Sequence, residues 1–242
     1  MIIAGAIDCH IHPTSAKGGP PAACADELLP FADRIGIELM GTSLGPTFWQ
    51  QPTRAQITED NNFNAELIAR HPDRFFGYAN LNPNDLLFSL DEIERRVADG
   101  PFVGLKLWVA LCCDHPNVDV ICERAAALGA PILQHTFFRA GGNMPGESSP
   151  ADLAALAARH PHVTFIGAHA GLDWERGIRV VAPHANILVD TCGFDPELGY
   201  TEMAVAWLGA ERVVYGSDAA GRSFASQLAK VYGADLDEDA RA

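Results

Sequence analysis

The chain is short of positive charge. Its 17 lysines and arginines face 31 aspartates and glutamates, for a formal net charge of −14. Attachment to nucleic acid or to an anionic membrane needs a basic patch, so neither is expected as a partner. Long apolar runs are also missing, since none reaches the ~18 residues of a membrane-spanning helix. The opening Met1-Ile2-Ile3-Ala4-Gly5 lacks the basic segment and small-residue cleavage site of a secretory signal, and a cytoplasmic location is expected. None of the six cysteines forms a Cys-x-x-Cys pair. Cys112 and Cys113 are adjacent, which suits neither an ordinary disulfide nor a zinc ribbon, so buried, reduced thiols are expected. Cys9 and Cys192 fall near strand ends, but no base is dedicated to either and neither reads as a nucleophile. The stretch Cys192-Gly193-Phe194-Asp195 carries one glycine, too few for a glycine-rich phosphate cradle.

What the chain does have is a regular alternation. Short apolar runs at Ile2–His10, Ile35–Thr42, Phe75–Leu81, Phe102–Val109, Ala130–His135, Val163–His169, Ile187–Thr191 and Arg212–Ser217 read as strands. Amphipathic stretches between them read as helices: Asp26–Arg34, Asn61–Arg70 after a Thr58 cap, a helix to Ala98 after the loop Asn82–Asp85, a helix to Leu128 after candidate caps Asp114 and Asn117, Pro150–Arg159, Asp173–Val181, Glu197–Leu208 and Ser223–Tyr232. Strand-then-helix repetition implies a parallel sheet buried on both faces, as near-continuous runs such as Val163-Thr164-Phe165-Ile166-Gly167 require. Eight such units in 242 residues make an α/β protein of the (β/α)8 TIM-barrel class. With no linker or composition break, residues 1–242 read as a single domain with an acidic, solvated end from Asp235.

In such a barrel, chemistry is built at the C-terminal ends of the strands. His10 and His12 end strand one. As residues i and i+2 of a strand they project to one face, close enough to grip one divalent ion. Lys106 lies in strand four, His135 ends strand five, His169 ends strand six and Asp218 follows strand eight. A lysine inside an apolar strand needs a partner or a modified state. These polar residues at one rim point to a metal site. His71, His160, His162 and His184 precede strands and belong to the opposite, stability face. His115 follows strand four but starts a helix.

The ordered set Ile7-Asp8-Cys9-His10-Ile11-His12, His135, His169-Ala170-Gly171 and Gly216-Ser217-Asp218 resembles the amidohydrolase superfamily of metal-dependent TIM-barrel enzymes. The nearer resemblance is to the branch with the aminocarboxymuconate-semialdehyde decarboxylase-like and 2-pyrone-dicarboxylate lactonase-like proteins. That family usually continues into a further helical segment, which this sequence does not carry. The resemblance implies that His10, His12 and Asp218, with His135, hold a divalent ion. Zn²⁺ is favoured, while Mn²⁺, Fe²⁺ or Co²⁺ also suit imidazole and carboxylate donors. It implies Asp218 as general base and His169 as the residue that polarises a carbonyl or shuttles a proton. In binuclear relatives a carboxylated lysine on strand four bridges two ions. One ion is expected here, with Lys106 unmodified and paired with Asp8 or a substrate carboxylate. The family often forms homodimers.

The substrate is a small molecule. Arg139 and Arg222 are candidate carboxylate anchors. Phe48, Trp49 and Trp108 are candidate walls for an apolar or aromatic ring. Hydrolysis of a C–O or C–N bond by activated water is the first expectation. Decarboxylation of an unsaturated or aromatic acid is the alternative. A catalytically silent barrel used for binding is a third, which leaves the polar rim without a reason.

Overall fold

The computed structural model describes residues 5–14, 19–193 and 197–241. Eight strands form one sheet in sequence order, each pairing in parallel with the next. They are β1 (Ala6–Ile11), β2 (Ile37–Thr42), β3 (Phe75–Asn80), β4 (Phe102–Leu107), β5 (Ile132–Phe137), β6 (Phe165–Gly171), β7 (Ile187–Asp190) and β8 (Val213–Val214). The sheet closes on itself. Cys9 N donates to Tyr215 O at 2.9 Å and Asp218 N donates to His10 O at 2.8 Å. The expected (β/α)8 barrel is therefore present.

The helices are α1 (Pro21–Ile35), α2 (Arg54–Arg70), α3 (Leu86–Ile93, continued by a π turn to Ala98), α4 (Pro116–Leu128), α5 (Pro150–Arg159), α6 (Trp174–Val181), α7 (Tyr200–Leu208), α8 (Phe224–Tyr232) and the short α9 (Glu238–Arg241). Their ends follow local chemistry. Thr53 and Gln56 form a capping box, so the cap of α2 lies five residues before the expected Thr58. Pro21 begins α1 earlier than Asp26, because a first-turn proline gives up no helical hydrogen bond. Left-handed Gly36 ends α1 and moves the start of β2 to Ile37. The acidic end is not wholly loose, since Arg241 Nη2 ties α9 to Ala234 O and Leu236 O at 3.0 and 2.8 Å. The expected first residues of strand one, 2–4, lie outside the described residues, as do 15–18 of the following loop and 194–196 after β7.

The main apolar core lies between barrel and helices, with Leu28, Met40, Leu67, Phe75, Ile121, Leu153, Phe165 and Tyr200 among its buried members. A smaller cluster of Tyr78, Leu133, Ile166 and Ala168 is separate. Leu133 stands two residues before His135 and therefore shares its face of the sheet. That cluster fills the barrel interior beneath the C-terminal rim and seals the rim's polar groups from below.

Candidate metal centre

β8 is shorter than the sequence suggests because the chain leaves regular pairing after Val214 to carry Asp218 onto the end of β1. Asp218 takes a left-handed backbone at φ 58°, and His169 does so at φ 66°. Such residues cost about 1–3 kcal/mol each and persist where surrounding bonds dictate them. Here His10 O accepts from Asp218 N, and Asp190 Oδ1 accepts from His169 N at 2.8 Å. Gly193 is required opposite. A Cβ on it would meet His169 Nδ1 at 1.9 Å, and its own φ is +90°.

The structure brings the strand-end residues together. His10, His12, Lys106, His135 and His169 are all buried. His10 Nε2 lies 3.2 Å from His12 Nε2, and His12 Nε2 lies 3.3 Å from Asp218 Oδ1. Two donors at ~2.0–2.1 Å from a tetrahedral ion are separated by about 3.4 Å, so these three atoms already have the spacing of an ion's ligands. His12 Nδ1 faces Ser43 O at 2.9 Å. A carbonyl only accepts, so His12 carries its proton on Nδ1 and turns an Nε2 lone pair to the centre. Nitrogen lone pairs and a carboxylate oxygen converging in a buried space fit a cation.

His135 is outside that three-donor group. Its Nδ1 faces His169 Nε2 at 3.2 Å, while its Nε2 meets Glu147 Oε1 at 2.9 Å. Lys106 does not pair with Asp8. Its Nζ sits 2.9 Å from His10 Nε2, and burial pulls its pKa down to about 8 against the opposing charge of Asp190. Arg139 is not a free carboxylate anchor, because both Nε and Nη2 grip Glu147, at 2.6 and 2.8 Å. Arg222 is half-exposed, with Nε 3.9 Å from Asp218 Oδ2.

The electrostatics favour neutral imidazoles among ionised acids. Burial, reinforced by the Lys106 charge, lowers His10 to about 4, and burial likewise takes His169 well below its ordinary value. Burial opposes the charge on Asp218, but the His12 hydrogen bond and the neighbouring imidazoles hold that carboxyl far below the usual range. Asp218 is thus an acceptor at neutral pH.

Two acids were not foreseen. Asp190 ends β7 and contacts His10 Nδ1 at 2.7 Å. An acid ending a barrel strand is the same signal that marks Asp218, so it was available in the sequence. Glu147 lies in the glycine-rich loop after β5, where no periodicity points at a partner. Aromatic rings border the imidazoles. Phe48 stands edge-on to His12 with centroids 5.0 Å apart, Phe137 lies 4.6 Å from His135, and Trp108 lies 5.6 Å from Phe48. Cys192 Sγ lies 3.2 Å from His10 Nδ1, but burial keeps that thiol protonated.

The amidohydrolase family model matches residues 7–242. The chain belongs to the amidohydrolase family. This family comprises metal-dependent enzymes, decarboxylases included. Among solved structures, 2,6-dihydroxybenzoate decarboxylase from Rhizobium is similar at 19% identity and TM-score 0.74, covering 99% of this chain and 95% of that one. A dihydroxybenzoic acid decarboxylase from Polaromonas, with bound manganese and the inhibitor 2-nitroresorcinol, gives 19%, 0.76, 99% and 93%. The 5-carboxyvanillate decarboxylase from Sphingomonas paucimobilis gives 16%, 0.76, 99% and 96%. At these identities the likeness establishes the shared barrel. No curated protein sequence is significantly similar to the chain. Among the described residues, no helix is long and apolar enough to cross a membrane.

Proposed function

We propose that this amidohydrolase-family chain is a metal-dependent decarboxylase of a small carboxylated aromatic ring. The observation that carries the reading is the frame of Phe48, Trp108 and Phe137 around the imidazole floor, which suits a flat ring stacked above the ion site. The similarity to three decarboxylases of aromatic acids supports it and moves the reading away from the hydrolysis first expected. His10, His12 and Asp218 would hold one divalent ion, with His135 near them beside His169. The two-nitrogen, one-oxygen set suits manganese, the metal of the Polaromonas neighbour, as well as zinc. When bound, the ion supplies Lewis-acid charge to the substrate's oxygens.

The chain's own residues then have separate tasks. The aromatic walls orient the ring and keep water away. The buried Lys106 ammonium lies 2.9 Å from His10 Nε2, and with that lone pair given to an ion its donors would turn to the substrate carboxylate. Loss of CO₂ leaves an electron pair on the ring carbon, which must receive one proton drawn from solvent. Asp218, an acceptor at neutral pH, would take up that proton and pass it to the ring, with His169 beside it. Left uncarboxylated, Lys106 would favour one ion over two, since its positive charge opposes a second.

The test is a panel of hydroxybenzoates, lactones and amides offered to manganese- and zinc-loaded protein, with CO₂ release measured alongside substrate loss. Release of one CO₂ per aromatic acid consumed is expected. Water-adding turnover of a lactone or amide without CO₂ would restore the hydrolytic reading.

A further inference from the structure

We infer that Asp190 is a positioning residue that presets the ion site, fixing the proton on His10 and the backbone of His169 at the same time. The inference rests on the reading of His10 as a metal ligand and adds the reason its lone pair faces the right way.

The carboxylate is fully buried and spends both oxygens on the site. Oδ2 lies 2.7 Å from His10 Nδ1, and Oδ1 accepts from His169 N at 2.8 Å and from Cys192 N at 3.3 Å. An ionised carboxylate only accepts, so the His10 proton must sit on Nδ1. The Nε2 lone pair is then left for the centre. Without Asp190 nothing holds the proton on Nδ1, and only the Lys106 ammonium 2.9 Å from Nε2 opposes the tautomer that would close that corner. The Oδ1 contacts act on another strand. They help hold His169 in its left-handed conformation at the end of β6, where its Nε2 faces His135.

Asp190 is itself braced from outside the barrel. The Tyr200 hydroxyl of α7 donates to Asp190 O at 2.7 Å, and Lys230 Nζ of α8 donates to Thr191 O at 2.7 Å. Gly216 passes between the two partners. A Cβ there would press His10 Cβ at 3.1 Å and Asp190 Cβ at 3.2 Å. Strand ends β1, β6 and β7 are thereby tied through one side chain. Supporting carboxylates of this kind commonly change metal affinity 10- to 100-fold when lost.

The Asp190→Asn variant tests this with almost no change of shape. Its amide oxygen is kept on His169 N and Cys192 N, which need an acceptor. The amide NH₂ therefore falls on His10 Nδ1 and, being a donor, opposes the proton there and pushes it toward Nε2, against the Lys106 ammonium. Zn²⁺ affinity, measured by competition with a chromophoric chelator, is expected to fall about 10- to 100-fold, with the metal-free thermal midpoint near that of the parent. In ¹⁵N-histidine spectra, metal-free and zinc-loaded parent should both show His10 protonated at Nδ1. Unchanged zinc affinity in Asp190→Asn, or a parent His10 protonated at Nε2, overturns the inference. The spectra decide it even if the variant fails to fold. A parent that binds no metal at all instead overturns the metal reading beneath it.

Discussion

Two of the buried polar clusters among the described residues differ in kind. The first joins α2, β3 and α3. Asn61 Nδ2 donates to Asn80 O at 3.1 Å and to Glu92 Oε2 at 2.8 Å, and Asn61 Oδ1 accepts from Asn80 N at 2.8 Å. Arg96 pairs with Glu92 at 3.0 Å and donates to Asn62 at 2.6 Å. The second is the C-terminal rim, where His10, His12 and Asp218 turn acceptors toward one another. Burial and polarity are shared. What differs is the balance: donors meet acceptors throughout the first, whereas in the second His12 Nε2 and Asp218 Oδ1, both acceptors, face each other and Lys106 is the donor beside His10 Nε2. Buried polar groups are ordinarily satisfied, so an excess of one kind marks the place of a missing partner.

The sharpest way to break this comparison is to remove an acceptor from the rim. Asp218→Asn or His10→Ala should abolish stoichiometric metal binding and lower turnover about a thousandfold, the several kcal/mol that a bound ion supplies. Metal analysis and CO₂ assays check this, and full metal content in both variants would dissolve the distinction. The structural cluster should answer in stability instead. Glu92→Ala strands the nearly buried Arg96 and should cost about 3 kcal/mol in denaturant unfolding. Activity per folded molecule should be unchanged, and a selective loss of turnover would show that the two clusters are coupled.

The smallest effect is one of pH. Burial raises Asp60, beside Asn80, from 3.8 to about 7. The folded protein therefore binds that proton more tightly than the unfolded chain. The stability it contributes is complete below about pH 4 and is lost as pH rises toward 7. Other groups titrate in this window, with His10 acting in the opposite direction. The readout is therefore the difference between Asp60→Asn and parent. The variant's melting temperature should gain on the parent's from pH 4 to pH 7, and a flat difference would contradict the burial of that charge.

Much of the fold was legible because parallel strands and amphipathic helices have distinct periods, and eight repeats leave few alternatives. Element ends were less so. The Thr53 cap and the two-residue β8 depend on bonds that no period encodes. In the site, His10, His12, His169 and Asp218 were readable from their places at strand ends. Arg139 was misread because its partner, Glu147, is known only once the β5 loop has folded back. Asp190 carried the right signal at the right place, but an acid that supports and an acid that ligates look alike in one dimension.

The sequence by itself determined the barrel, the rim on which chemistry would sit and the kinds of donor gathered there, since these follow from alternation and strand direction. The tertiary structure alone decided which nitrogen His10 and His12 offer, that Lys106 lies against His10 rather than Asp8, and that aromatic rings frame the floor. These depend on distances of about 3 Å between residues as far apart as His10 and Asp190. Hydrogen bonding is directional and short-ranged, so no spacing along the chain specifies it.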